Sequence, residues 1–236
     1  MTEVFATRFR WECRGGLCLG VDLPPSDQAV AAAERAELTD DERRFAAQLA
    51  PLRLGPWVGG RVALRRAFRE LGTALGSVLP DGRGAPRLPR GLRGSISHKA
   101  TLAVAFAALG EGESLGVDIE LDAPTRVDVS RHVLAPEEAQ TLAGLAEGER
   151  LREVTLRFSL KEALYKALDP FVRRYVAFRE AIVVPVEPGT TRFDLRLARG
   201  EGPFTATGLY TRRDGHVLSV VGVMPGGGPA AFVGEA

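Results

Sequence analysis

The stretch Gly116-Val117-Asp118-Ile119-Glu120 alternates apolar and acidic residues. In a strand, alternate side chains share a face, so Asp118 and Glu120 point one way while Val117 and Ile119 point toward a core. Two like charges side by side repel. A divalent cation relieves that repulsion, and a pair of hard carboxylate oxygens suits Mg²⁺. The solvated outer face of an edge strand is the competing reading, because exposed acids are common.

Downstream lies Phe158-Ser159-Leu160-Lys161-Glu162-Ala163-Leu164-Tyr165-Lys166. Helical spacing puts Phe158, Glu162 and Lys166 on one row and Lys161 with Tyr165 on the next. Glu162 can supply a third carboxylate, and the two lysines can neutralise phosphate. An ordinary amphipathic helix with a Glu162–Lys166 pair fits the same spacing. Upstream lies Gly94-Ser95-Ile96-Ser97-His98-Lys99. Here His98 is either a phosphate donor or a histidine at a strand end.

Composition bounds the rest. The chain has 236 residues, 45% of them hydrophobic, with 31 Lys+Arg against 30 Asp+Glu. That excludes wholesale disorder and a generally cationic nucleic-acid binder. No run approaches the ~20 apolar residues of a membrane span, and the N-terminus lacks the pattern of a signal peptide. Cys13 and Cys18 are too few for a disulfide framework, and with His98, His132 and His216 scattered they make no four-ligand zinc set. A cytoplasmic protein is expected.

Strands are expected over 4–23 around a Gly15-Gly16 turn. Helices are expected over 27–36, from Thr39 to about Leu49, and over 59–71. Residues 80–94 carry Arg83, Arg87, Arg90 and Arg93 among Gly and Pro. They read as a linker or as an anion-binding loop. Residues 95–121 read as a hairpin. Helices starting at Pro136 and at about Glu149 follow, the second ending at Asp169-Pro170. Four strands lie between 181 and 224, the last two joined at Asp214-Gly215, and 225–236 reads as a tail. The fold class is α+β, with an N-terminal α+β half over 1–115 and a C-terminal one over 116–236.

Taken together and in this order, the three motifs resemble the Sfp-type 4′-phosphopantetheinyl transferases, particularly the branch serving siderophore and other nonribosomal assembly lines. Those enzymes carry a G-[IV]-D-[IV]-E strand and, roughly forty residues on, W-x-x-K-E-A-x-x-K on a helix. The resemblance covers roughly residues 40–170. It implies a pseudo-twofold pair of similar α+β subdomains with the active site in the cleft between them.

The resemblance also implies an activity. Such an enzyme moves the 4′-phosphopantetheine arm of coenzyme A to a serine of an apo acyl or peptidyl carrier protein, releasing 3′,5′-ADP. Asp118, Glu120 and Glu162 match the family's Mg²⁺ ligands, and Lys161 and Lys166 its lysines near the pyrophosphate. Glu162 matches the proposed base, acting directly or through a metal-bound water, with Glu120 a substitute. His98 matches the family's 3′-phosphate histidine, within the Ser97-containing stretch. Arg44 and Arg61, with Arg43 or Arg65 as alternatives, stand where basic nucleotide-binding residues occur, and Arg83 and Arg87 flank the loop beside adenine. Phe158 replaces the usual Trp, as a packing anchor. Ala85 replaces a basic residue, for which Arg83 or Arg87 compensates. Carrier docking is expected over about 125–150, with Arg126 and Arg131 as contacts. A monomer is expected, with no nucleic-acid partner. The residues alone also admit a metal-dependent phosphohydrolase and a non-catalytic nucleotide-binding module.

Overall fold

The computed structural model describes residues 4–123 and 129–226. The chain divides into two compact units. One comprises the residues up to Glu111 together with Val117–Ile119, and the other comprises Gly112–Gly116 and the chain from Glu120 onward.

In the first unit, β1 (Thr7–Cys13) and β2 (Gly16–Asp22) form a hairpin. Its turn is Arg14-Gly15, both at positive φ (50° and 63°), a conformation that costs Gly15 little. Three helices follow: α1 (Ala29–Arg35), α2 (Asp40–Ala46) and α3 (Pro51–Glu70). β3 (Leu92–Lys99) and β4 (Leu102–Leu109) then complete a four-stranded antiparallel sheet ordered β1-β2-β4-β3. α3 lies on this sheet, burying Val58, Val62, Leu64 and Phe68 among Leu17, Leu19, Ala103 and Ala105.

The helix expected over 59–71 begins eight residues sooner, at Pro51. Proline needs no donor in the first turn, so it starts the helix instead of stopping the one before. The unfavourable helical residues Gly59 and Gly60 are there for packing. A β-carbon on Gly59 would lie 2.3 Å from Leu23 Cδ2, and one on Gly60 would lie 2.5 Å from Ile96 Cγ2.

β5 (Ser114–Leu121) joins a second sheet, ordered β5-β9-β8-β7-β6. The hairpin expected over 95–121 is therefore β3–β4 alone, turning at Ala100 with φ 52°. After β5 come α4 (Ser130–Val133), α5 (Pro136–Leu142) and α6 (Glu147–Val172). The chain then runs through β6 (Ala181–Glu187), β7 (Thr190–Leu195), β8 (Phe204–Arg213) and β9 (His216–Pro225). Asp214 and Gly215 both have positive φ, as the tight β8–β9 turn requires. α6 runs past Pro170 to Val172 and is capped by Arg173 in the left-handed conformation. It buries Leu156, Leu160, Leu164 and Leu168 against Val183, Val217, Val221 and Val223. Each such leucine contributes about 1.5–3 kcal/mol of apolar burial. The tail from 227 lies outside the described residues.

Candidate active site

β5 carries the first motif, and its Gly116 lies against α6. A β-carbon on Gly116 would lie 1.9 Å from the carbonyl oxygen of Ala163 and 3.0 Å from the backbone nitrogen of Ala167. Only glycine permits that approach. Gly116 belongs to the first motif and Ala163 to the second.

Asp118 is 5% exposed, so this strand is not a solvated outer face. Val117 and Ile119 are buried as expected, while Glu120 is half-buried. The hydroxyl of Ser97 donates to Asp118 Oδ1 at 2.8 Å, and Val117 N donates to the Ser95 hydroxyl at 3.1 Å. Ser95 and Ser97 alternate on β3, which lets both face β5. Ser97, expected among the coenzyme A contacts, orients Asp118 with its hydroxyl proton. The neighbouring His98 is exposed.

Glu162 and Lys166 are half-buried on α6. Lys161 differs from expectation. It is 0% exposed, and its ammonium donates to Glu138 Oε2 at 2.5 Å and to the Val133 carbonyl at 2.9 Å. Burial pulls this lysine below its usual range, against the opposing effect of Glu138. Its ammonium is thus held by protein acceptors. Phe158 packs 5.4 Å from Phe178, ring to ring, as a packing anchor does.

Of the arginines expected at the nucleotide, Arg61 contacts Val78 through its side chain, and Arg83 and Arg87 lie on the loop that follows. The Ser77 hydroxyl donates to Asp41, which also pairs with Arg44. Val78 N donates to Glu42 at 2.9 Å, and the Val78 carbonyl accepts from Arg61 Nε at 3.3 Å. Arg87 N donates to the Leu79 carbonyl at 2.9 Å. Asp81 Oδ1 accepts from Arg83 N and Ala85 N, tightening the loop tip. Arg61 is buried beneath its partners, its guanidinium 4.0 Å from the Trp57 ring centre. Burial pulls it down to about 10, so it remains charged at neutral pH. Arg44, Arg83 and Arg87 are exposed. Arg65 pairs with Glu42 at 2.6 Å.

Burial pushes the Cys13 thiol up to about 12. Among the described residues, no three His, Cys, Asp or Glu side chains form a ready-made metal cluster. Mg²⁺ does not require one, since it usually takes one or two carboxylates with substrate phosphates and water. The hard-oxygen set of Asp118, Glu120 and Glu162 fits that ion chemically. Ser95, Glu42 and Glu138 add buried hydrogen bonds beyond the expected site residues. The Ser95-x-Ser97 alternation and the Thr39-to-Glu42 capping spacing were the available signals. Arg126 lies outside the described residues, and Arg131 is exposed on α4. Among the described residues, no helix is long and apolar enough to cross a membrane.

Two family models match the chain. One, described as the 4′-phosphopantetheinyl transferase N-terminal domain, covers residues 41–108. The other, described as the 4′-phosphopantetheinyl transferase superfamily, covers residues 114–221. The chain is 36% identical over 164 residues to 4′-phosphopantetheinyl transferase Svp of Streptomyces mobaraensis, covering 68% of this chain and 65% of that protein. It is 32% identical over 169 residues to 4′-phosphopantetheinyl transferase Npt of Nocardia iowensis, covering 68% of this chain and 75% of that one. Similarity to enterobactin synthase component D of Salmonella typhimurium is 36% over 114 residues, covering 48% of this chain and 47% of that protein. With both motifs joined at Gly116 and Ala163 and relatives of this extent, the chain belongs to the 4′-phosphopantetheinyl transferase family.

Proposed function

We propose that this chain transfers the 4′-phosphopantetheine arm of coenzyme A to a serine hydroxyl of an apo acyl or peptidyl carrier protein. The observation that carries the reading is the backbone contact of Gly116 in the first motif with Ala163 in the second. The serine oxygen forms a bond to phosphorus, and the bond from phosphorus to the leaving 3′,5′-ADP oxygen breaks. A serine hydroxyl is a weak nucleophile until its proton is removed. Glu162 is assigned as the acceptor of that proton. Lys166, one turn further along α6, is assigned to the phosphate charge.

Asp118, Glu120 and Glu162 would hold Mg²⁺. Bound there, the ion would supply charge stabilisation for the departing diphosphate oxygen. Ser97 keeps the Asp118 carboxylate oriented for this task, at the cost of one of its acceptor sites. His98, Arg44, Arg61, Arg83 and Arg87 are assigned to the 3′-phosphate and adenine of coenzyme A. Their support is the loop that bears Arg83 and Arg87, whose start at Ser77 and Val78 is held by Asp41, Glu42 and Arg61.

Carrier proteins are acidic, which suits Arg131 as a docking contact. Two free cysteines suit the cytoplasm, and a monomer belongs to the same proposal. Incubation with coenzyme A, Mg²⁺ and apo carrier proteins, followed by mass spectrometry, tests the activity. One phosphopantetheine adduct per carrier domain is expected. Hydrolysed coenzyme A with unmodified carrier would make the chain a phosphohydrolase instead.

A further inference from the structure

Glu138 is 3% exposed, yet nothing in the proposed chemistry uses it. It is the third residue after Ala135, which caps the start of α5. Its Oε2 accepts from Ala135 N at 2.8 Å and from Lys161 Nζ at 2.5 Å, and its Oε1 accepts from Val183 N at 3.0 Å. Lys161 also donates to the Val133 carbonyl at the end of α4. One buried carboxylate thus ties α4, α5, β6 and α6 together. The attachment point on α6 is the residue directly before Glu162.

The first unit contains the same latch. Glu42, 0% exposed and third after Thr39, accepts from Thr39 N at 2.8 Å, Val78 N at 2.9 Å and Arg65 at 2.6 Å. In both units the acid and its cation are 23 residues apart. The helices align around them, with Arg61-x-x-Leu64-Arg65-x-Ala67 in α3 and Arg157-x-x-Leu160-Lys161-x-Ala163 in α6. After the latch the sequences part. Arg66 turns to Glu37 and the Phe5 carbonyl, whereas α6 carries Glu162.

We infer that Glu138 is a positioning residue, which through Lys161 sets the turn of α6 that presents Glu162. This rests on the transferase reading above. A buried ion pair is poor evidence for stability, because apolar replacements of the whole pair are often neutral or better. Its geometric demands are strict, and it fixes one register of the elements it joins. α6 is pinned on one side at Ala163 by Gly116 and on the other at Lys161 by Glu138. Glu162 stands between the two pins.

The test compares wild type with Lys161→Met, Lys161→Arg and the double variant Glu138→Gln/Lys161→Met. Melting temperatures are recorded with transfer kinetics at varied coenzyme A. The double variant removes the unpaired buried charge and keeps the protein folded if Lys161→Met alone does not fold. The folded methionine variants are expected to lose about tenfold or more in kcat, while KM for coenzyme A moves less than about threefold. Lys161→Arg is expected to recover most of the loss, since Arg65 makes this pair with Glu42. Folded methionine variants with wild-type kcat would overturn the inference. So would failure of both to fold, or of arginine to rescue. A raised KM at unchanged kcat would overturn it too, making Lys161 a coenzyme A contact. Wild-type protein that transfers nothing would instead overturn the transferase reading, so the two failures are distinct.

Discussion

Gly116 and Ala163 approach so closely that a β-carbon on the glycine would fall 1.9 Å from the alanine carbonyl oxygen. Backbone, not a flexible side chain, would have to move. Gly116→Ala is expected to push α6 off β5, lowering stability by about 1–3 kcal/mol, the usual range for overpacking. Transfer should fall further than stability does, because Glu162 moves with the helix. Denaturant midpoints and transfer rates on the same samples check this. A variant that keeps both would remove the close contact from the account.

Ser97 orients Asp118 by a 2.8 Å hydrogen bond. A hydrogen bond to a charged group contributes roughly 1.5–3 kcal/mol. Ser97→Ala is expected to raise the Mg²⁺ concentration needed for half-maximal transfer about tenfold or more, with the fold retained. Asp118→Ala and Glu162→Ala are expected to abolish transfer. Magnesium titrations of activity, with circular dichroism as the fold control, read out all three.

Glu42 anchors the start of the basic loop through Val78 N and holds Arg65. Glu42→Gln leaves Arg65 with a weakened buried partner. Breaking one side of such a pair costs about 3–5 kcal/mol. The loop bearing Arg83 and Arg87 loses its anchor, so KM for coenzyme A is expected to rise more than kcat falls. His98→Ala is expected to raise the coenzyme A requirement without the stability loss. An unchanged requirement would make His98 structural only.

Acid stability follows from Arg174. Its hydrogen bonds hold Glu180 and Glu201 at about 2, below their ordinary 4.5, against the upward pull of burial. A carboxylate depressed on folding stabilises fully above its unfolded value and loses that contribution as pH falls through the folded one. The melting temperature is therefore expected to fall between pH 4.5 and about 2. Arg174→Gln should flatten this part of the curve. Calorimetric scans across the range give the slopes, and equal slopes would contradict the assignment.

Local chemistry was legible in the sequence. Thr39 with Glu42 announces a capped helix, Asp214-Gly215 a tight turn, and the alternation at 116–120 a strand. Relations settled by distant packing were not. Pro51 and the glycines of α3 look like helix breakers until Leu23 and Ile96 are seen to occupy the space of the missing side chains. The sheet that takes β5 is decided by partners about a hundred residues away, so 95–121 looked like one hairpin. At the site, Asp118 and the motif on α6 were evident from residue type and order. The ion pair of Lys161 was not, because a lysine beside the candidate ligand Glu162 reads as a phosphate contact. Only the fold supplies Glu138, from 23 residues upstream.

The most direct test of the central claim uses the unaltered protein with coenzyme A, Mg²⁺ and apo acyl and peptidyl carrier proteins. Intact-mass spectrometry is expected to show one phosphopantetheine on the carrier serine, formed with one equivalent of 3′,5′-ADP and lost when Mg²⁺ is chelated. Carrier proteins of both kinds left unmodified, with coenzyme A intact, would contradict the account.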